Sequence, residues 1–163
     1  MITKTDKEYL KQCVALAEEA LEKGDQPFGS ILVSKDDEVL FADHNHVSGG
    51  DQTQHPEFNI ARWAGQHLSQ EERAEATVYT SGEHCAMCSA AHGHVGLGRI
   101  VYASSSKQLS EWLEEFGVDR KQRVNSLAIE EVLIAPDAAG PEPELAQTIK
   151  ELQREYYRRQ EDG

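Results

Sequence analysis

The chain has 163 residues, the size of one domain, and 39% of them are hydrophobic, enough for one core of ordinary size. Its 16 Lys and Arg against 29 Asp and Glu give a formal net charge of −13, which argues against general nucleic-acid binding. No apolar run approaches the length that crosses a bilayer, and the N-terminus lacks the apolar block of a signal peptide. We therefore expect one domain over residues 1–163, located in the cytoplasm.

Hydrophobic periodicity predicts helices and strands that alternate along the chain. The predicted helices cover residues 5–23, 56–68, 85–95, 109–116 and 144–160, and the predicted strands cover 28–33, 38–42, 76–80, 99–103 and part of 127–134. A loop is predicted over residues 136–143. This order predicts an α/β fold, a three-layer α/β/α sandwich whose mixed sheet of about five strands is covered on both faces.

Two short motifs bring together residue types that bind metal ions. His55-Pro56-Glu57 is followed 30 residues later by Cys85-Ala86-Met87-Cys88, and each motif lies at the start of a predicted helix. One imidazole and two thiolates are one ligand fewer than a closed structural zinc site needs, so a tetrahedral ion would keep one position for water. The carboxylate of Glu57 would then act as a general acid and base beside that water.

Two other interpretations of the cysteines stay open. A C-x-x-C motif also occurs in thiol redox proteins, in which Cys85 and Cys88 would oxidise reversibly without a metal. A zinc-stabilised binding module without catalysis would need a fourth protein ligand, for instance His84 or His92. The third cysteine, Cys13, lies among apolar residues of the first helix and is predicted to be buried.

The motifs resemble those of the cytidine and deoxycytidylate deaminase type of zinc enzymes, especially the guanine, cytosine and tRNA adenosine deaminases. The resemblance covers about residues 7–158. The segments that carry it are Pro27-Phe28-Gly29-Ser30 for P-[FV]-G-A, His44-Asn45-His46-Val47 for G-x-N, Thr53-Gln54-His55-Pro56-Glu57 for T-x-H-A-E, and Thr80 to Cys88 for T-x-E-P-C-x-M-C.

This resemblance implies a Zn²⁺ ion held by His55, Cys85 and Cys88, one per chain, and a proton shuttle at Glu57. It implies that Asn45 hydrogen-bonds a substrate base. It also implies a three-layer α/β/α fold and a homodimer with a small-molecule substrate. The chain departs from the family pattern at three positions beside these residues, where Gln54 is larger than the usual residue, Pro56 replaces alanine and His84 replaces proline.

Within the family we favour an aminopurine such as guanine as the substrate. Glu114 and Glu115 lie in a segment where a carboxylate of guanine deaminases reads the base, and Phe28 and Tyr156 are candidate aromatic contacts. A solvated charge pair is the other interpretation of the two glutamates. The same segment contains Trp112, which fits either a lid over the pocket or the core.

Cytosine, a nucleoside or a triazine is the rival substrate, followed by tRNA adenosine, which the net charge disfavours. The clearest cationic cluster is Lys150, Arg154, Arg158 and Arg159 on the last helix, which is typical of a solvated helix face.

The remaining histidines are assigned structural positions. His92 and His94 are predicted to lie on a helix surface. His44 and His46 flank Asn45 and are predicted to lie in the core or on the surface rather than to act in catalysis. His84 is either a hydrogen-bond donor near the metal or an exposed loop residue.

Overall fold

The computed structural model describes residues 1–162, so Gly163, the last residue of the predicted domain, lies outside the described part. The helices are α1 (Lys4–Glu22), α2 (Pro56–His67), α3 (Gln70–Glu75), α4 (Ala86–Val95), α5 (Ser106–Glu115), α6 (Ile129–Val132) and α7 (Pro143–Asp162). The strands are β1 (Gly29–Val33), β2 (Val39–His44), β3 (Thr77–Gly82), β4 (Arg99–Ser104) and β5 (Ala138–Ala139).

The strands form one mixed sheet in the order β2-β1-β3-β4-β5. β1 is antiparallel to both β2 and β3, whereas β3, β4 and β5 run parallel. The parallel pair β3 and β4 is joined through α4, as a crossover requires. The predicted mixed sheet of five strands is confirmed.

Alternation along the strands divides the core into two layers. Ile31 and Val33 of β1 pack under α1 on one face of the sheet, and Leu32 packs against α2 on the other. On the α1 face, Trp112 of α5 and Ile149 of α7 complete the layer. α2 and α4 pack against each other on the opposite face. The predicted three-layer α/β/α architecture is confirmed.

The position predicted for the fifth strand is wrong. Residues 129–132 form the short helix α6, and the fifth strand is Ala138–Ala139, inside the segment predicted as a loop. Ile129 is buried beside Ile100 and Tyr102, and Leu133 packs there too, which is the spacing of one helical turn. The carboxylate of Glu83 accepts a hydrogen bond from the amide of Ile129 at 2.8 Å and so stabilises the start of this helix.

Helix α3 was not predicted from the sequence. Ser69 accepts a hydrogen bond from the amide of Glu72, and Glu72 accepts one from the amide of Ser69. This capping box was readable from the sequence as S-x-x-E.

None of the helices described between residues 1 and 162 is long and apolar enough to cross a membrane.

A buried charge pair fastens α1 to the sheet. Asp6 of α1 is 3% exposed and accepts hydrogen bonds from both terminal nitrogens of Arg99, at 2.9 and 3.0 Å, and from the Tyr79 hydroxyl at 2.7 Å. Burial opposes ionisation, but Arg99, the amide of Thr3 and the Tyr79 hydroxyl together hold the pKa of Asp6 well below its usual range. The ionised carboxylate therefore stabilises the folded state.

We expect Asp6→Asn to lower the free energy of unfolding by roughly 2 kcal/mol, because the charged hydrogen bonds of Arg99 lose their acceptor. Since the pKa of Asp6 is depressed, its contribution is present above the pKa of an unfolded aspartate, about 3.9, and is lost as pH falls below that value. Urea unfolding from pH 7 to pH 3 measures both effects. Glu8→Gln is the control, because the Glu8–Lys11 pair is exposed, and equal losses in both variants would contradict the assignment.

Candidate active site and metal centre

The three predicted metal ligands lie at the starts of two neighbouring helices. His55 is the N-cap residue of α2, and Pro56 occupies the first helical position, where its missing N–H costs nothing. Cys85 is the N-cap residue of α4, and Cys88 follows in the first turn. Because α2 and α4 pack side by side on one face of the sheet, their N-termini bring these side chains together.

The distances between the ligand atoms fit a tetrahedral zinc ion. The Nδ1 atom of His55 lies 3.5 Å from Cys85 Sγ and 3.6 Å from Cys88 Sγ. A zinc ion with tetrahedral angles and usual bond lengths of about 2.05 Å to nitrogen and 2.3 Å to sulfur separates these atoms by about 3.6 Å. All three ligand atoms lie within 4.8 Å of one another. The residues therefore fit the ion that their chemistry implies.

His84 and His92 do not join this ligand group, which over residues 1–162 comprises His55, Cys85 and Cys88. His84 is 1% exposed, so its assignment to an exposed loop is wrong, and neither of its ring nitrogens has a hydrogen-bond partner in the described residues. Burial and the neighbouring His92 keep its pKa well below the usual value. The fourth position of a tetrahedral ion is thus left to water or substrate.

The surface assignment of His92 is also wrong. Its side chain is 3% exposed, and its Nε2 donates a hydrogen bond to the carbonyl oxygen of Gly98 at 2.8 Å. It therefore fastens α4 to the turn before β4, and its ring packs edge-on against His84. His94 is exposed, as predicted.

Glu57 lies one residue inside α2 and is 6% exposed. Its Oε1 atom is 2.8 Å from Ser30 Oγ and 2.8 Å from Thr80 Oγ1. Burial raises the pKa of Glu57, and the charge of His55 and the hydroxyl hydrogen bonds offset this only in part. A carboxyl group whose pKa is raised above its usual range holds a proton more readily and is suited to accept and return one.

The two thiols share one hydrogen-bonded arrangement with His55. The neighbouring Cys88 thiol lowers the pKa of Cys85 to about 4, with a further contribution from His55 and against the effect of burial. The neighbouring Cys85, together with burial, raises the pKa of Cys88. One thiolate is thus already favoured before an ion binds.

Cys13 is fully buried in the α1 core, as predicted, and its pKa is raised by burial.

Two predicted substrate contacts lie beside each other near this centre. Asn45 is 1% exposed, and its Oδ1 accepts a hydrogen bond from the amide of Val47 at 2.9 Å. Its side-chain Nδ2 is then the group available as a donor to a ligand. The backbone N–H of Asn45 donates to the carbonyl oxygen of Phe28, whose ring packs against Gly82 at the end of β3, shortly before the cysteines.

The lid interpretation of α5 does not fit the structure. Trp112 is 8% exposed and lies in the core between α1, α5 and α7. Glu114 and Glu115 are exposed, and Glu115 pairs with Lys150 at 2.9 Å. These glutamates therefore correspond to a solvated charge pair rather than to buried carboxylates that read a base. Tyr156 is half-buried on α7 and packs edge-on against its neighbour in the chain.

Sequence reasoning missed three polar residues that support the site. Ser30 and Thr80 contact Glu57, and both are fully buried polar residues of strands. The Glu83 carboxylate accepts hydrogen bonds from the amides of Ser106 and Ile129 and so joins the loop before Cys85 to the starts of α5 and α6. For Ser30 and Thr80 the available signal was a polar residue at a strand position where an apolar one is expected.

A second group of ligand-type atoms lies at Asp25, His44 and His46. Their atoms already have partners within the chain. The ammonium group of Lys23 lies 3.3 Å from His44 Nε2, His46 Nε2 is 2.9 Å from the Asp43 carboxylate, and Asp25 accepts a hydrogen bond from the Ser48 amide. His44 is buried and His46 is exposed.

The family model for the cytidine and deoxycytidylate deaminase zinc-binding region matches residues 3–104, which include all three ligands and Glu57. The chain belongs to this family. It is therefore a zinc-dependent hydrolytic deaminase with the cytidine deaminase-like fold. The resemblance inferred from the motifs is confirmed.

Curated relatives and solved structures agree on the family and differ in substrate. A probable cytosine deaminase of Schizosaccharomyces pombe is 30% identical over 125 residues, covering 77% of this chain and 76% of that protein. A tRNA-specific adenosine deaminase of Streptococcus pyogenes serotype M18 is 26% identical, covering 81% of this chain and 84% of that protein. The guanine deaminase from Nitrosomonas europaea has a TM-score of 0.67 at 21% identity, covering 91% of this chain and 82% of that one, which shows a common fold.

We expect Cys85→Ala and Cys88→Ala to lose the zinc of this deaminase and to unfold at a lower temperature, because metal binding is coupled to folding. Metal analysis of the purified variants should fall from about one zinc per chain to well below it. Cys13→Ala is the matched control and should keep its zinc, since Cys13 lies in the α1 core. Full zinc occupancy in both ligand variants would contradict the ligand assignment.

Proposed function

We propose that this deaminase releases ammonia from a free aminated nucleobase or a related small heterocycle. The observation that supports it most directly is the position of Glu57. Its carboxyl group lies two residues from His55, is buried, and is held by the hydroxyls of Ser30 and Thr80 at 2.8 Å each. A buried acid beside a three-ligand metal site is the arrangement that a hydrolytic deamination needs.

Zinc, when bound, lowers the pKa of water and so supplies a nucleophile near neutral pH. Glu57 would pass one proton of that water to the ring nitrogen while the water oxygen bonds to the ring carbon that bears the amine, and would then move the proton left on that oxygen to the departing amine. The exocyclic C–N bond breaks, a carbonyl forms, and ammonia leaves. Asn45 would donate its Nδ2 hydrogen bond to the base, and Phe28 would supply apolar contact beside it.

Guanine is the substrate that the sequence analysis favoured, and it stays our first candidate among the purines. Glu114 and Glu115 no longer support guanine as the substrate, because both side chains are exposed. Cytosine is the second candidate, because the relative that is 30% identical carries the name of a cytosine deaminase.

A homodimer and a cytoplasmic location are the further predictions. Light scattering of the purified protein tests whether it is a homodimer.

A tRNA substrate is disfavoured by the charges of α7 as well as by the net charge of −13. Lys150 pairs with Glu115, Arg154 pairs with Glu151, and Arg158 pairs with Glu155. Each of these cations has a carboxylate partner at 2.6–2.9 Å, so the helix presents alternating charges. A surface that binds phosphate groups needs unpaired positive charge instead.

We expect Glu57→Gln to keep its zinc while ammonia release falls by at least about 10²-fold, because the amide cannot shuttle protons. The measurement is ammonia release from guanine, cytosine, adenine, a triazine, the matching nucleosides and a tRNA with an unpaired adenosine. We expect a free base to be the best substrate.

The control for this substitution is Glu142→Gln. Glu142 is also buried, but it pairs with Lys7, and neither residue is near the metal ligands in the sequence. It should change activity little. Glu57→Gln with near wild-type turnover would exclude Glu57 as the acid and base. Preference for the tRNA would replace the small-molecule proposal, and a wild-type protein with zinc that releases no ammonia from any of these compounds would contradict it.

A further inference from the structure

We propose that Ser30 is a positioning residue for catalysis, whose hydroxyl fixes the carboxylate of Glu57 together with that of Thr80. This inference rests on the proposed role of Glu57. It assigns a role to a serine that is neither a metal ligand nor a proposed substrate contact.

The sheet places both hydroxyls beneath α2. Ser30 of β1 and Thr80 of β3 are direct partners in the antiparallel register, so their side chains lie on the same face. Leu32, two residues after Ser30, packs against α2, which identifies that face. Both hydroxyl groups are fully buried. Burying two polar groups in a strand layer is unfavourable unless each has a partner, and Glu57 is the partner of both.

Counting protons shows why the second hydroxyl matters. Thr80 Oγ1 lies 2.8 Å from Glu57 Oε1 and 2.8 Å from the carbonyl oxygen of Gly82, but a threonine has one hydroxyl proton for these two acceptors. Ser30 Oγ lies 2.8 Å from Glu57 Oε1 and 2.8 Å from Thr80 Oγ1. When Ser30 gives its one hydroxyl proton to Glu57, the carboxylate keeps a donor even while Thr80 donates to Gly82.

The hydrogen bonds hold one defined carboxylate oxygen. Both hydroxyls approach Oε1, so the rotation of the carboxylate is fixed and Oε2 takes part in neither contact. Without Ser30, the single Thr80 proton is divided between Glu57 and Gly82. The carboxylate then has a wider range of orientations, and fewer of them are suited to proton transfer.

We expect Ser30→Ala to lower kcat about 10-fold while KM changes less than about 2-fold and zinc content is unchanged. The readouts are steady-state kinetics on the best base of the panel, metal analysis, and a crystal structure in which the Glu57 carboxylate is rotated or spread over two positions. Ser104→Ala is the matched control, since it removes a buried strand hydroxyl that donates to the Ser81 carbonyl and does not contact Glu57. It should leave kcat near wild type.

Thr80 provides the second comparison. Thr80→Val removes the other hydroxyl at nearly constant volume and should also lower kcat, whereas Thr80→Ser keeps the hydroxyl and should restore most of it. In a Glu57→Gln background, Ser30→Ala should reduce the residual rate less than 2-fold, because the proton shuttle is already absent.

The outcomes separate this inference from the proposed function. If Glu57→Gln abolishes turnover but Ser30→Ala and Ser104→Ala behave alike, or the carboxylate keeps its position without Ser30, the positioning role is wrong and the deaminase mechanism stands. If Glu57→Gln itself retains activity, the proposed function fails first. An equal loss on Ser30→Ala in both backgrounds would show a structural effect and overturn the inference.

Discussion

The active site depends on the side-by-side packing of α2 and α4 on one face of the sheet. This packing brings two helix N-termini together, and with them one imidazole and two thiols at the spacing of a tetrahedral zinc ion. Helix N-termini favour negative charge, so the same geometry helps to keep Cys85 ionised. If the two helices moved apart by even 1 Å, the ligand atoms would no longer match the ion.

The active site depends secondly on the buried carboxyl group of Glu57. The packing of α2 against α4 also determines where this group lies. Because His55 begins α2 as a ligand, Glu57 is turned into the interior, where burial raises its pKa. Removing a carboxyl group from water is unfavourable unless hydrogen bonds compensate. Ser30 and Thr80 supply these bonds from the sheet beneath. The strands thus contribute polar groups to a layer that is otherwise apolar.

Much of this arrangement was predictable because it is encoded locally. The ligands and Glu57 follow from motifs at helix starts, and the sheet layers follow from alternation in strands such as 29–33. The fifth strand was placed wrongly, because the apolar residues Ile129 and Leu133 are spaced for a helix as well as for a strand. Only the capping contact from Glu83, 46 residues earlier in the chain, decides between them.

The substrate contacts were the least predictable part. The resemblance to guanine deaminases suggested that Glu114 or Glu115 reads the base from a lid segment. In the structure Trp112 of that segment lies in the core, and both carboxylates are exposed. The predicted surface position of His92 was wrong for a similar reason. A histidine on a helix is exposed or buried according to what packs across from it, and here that partner is the Gly98 carbonyl.

The most direct test of this account is X-ray absorption at the zinc edge of the purified protein. We expect a four-coordinate ion with two sulfur ligands at about 2.3 Å, one imidazole nitrogen at about 2.0 Å, and one further oxygen from water. A second imidazole in the coordination shell, which His84 or His92 would have to supply, would close the site and contradict a hydrolytic centre, as would a protein that binds no zinc.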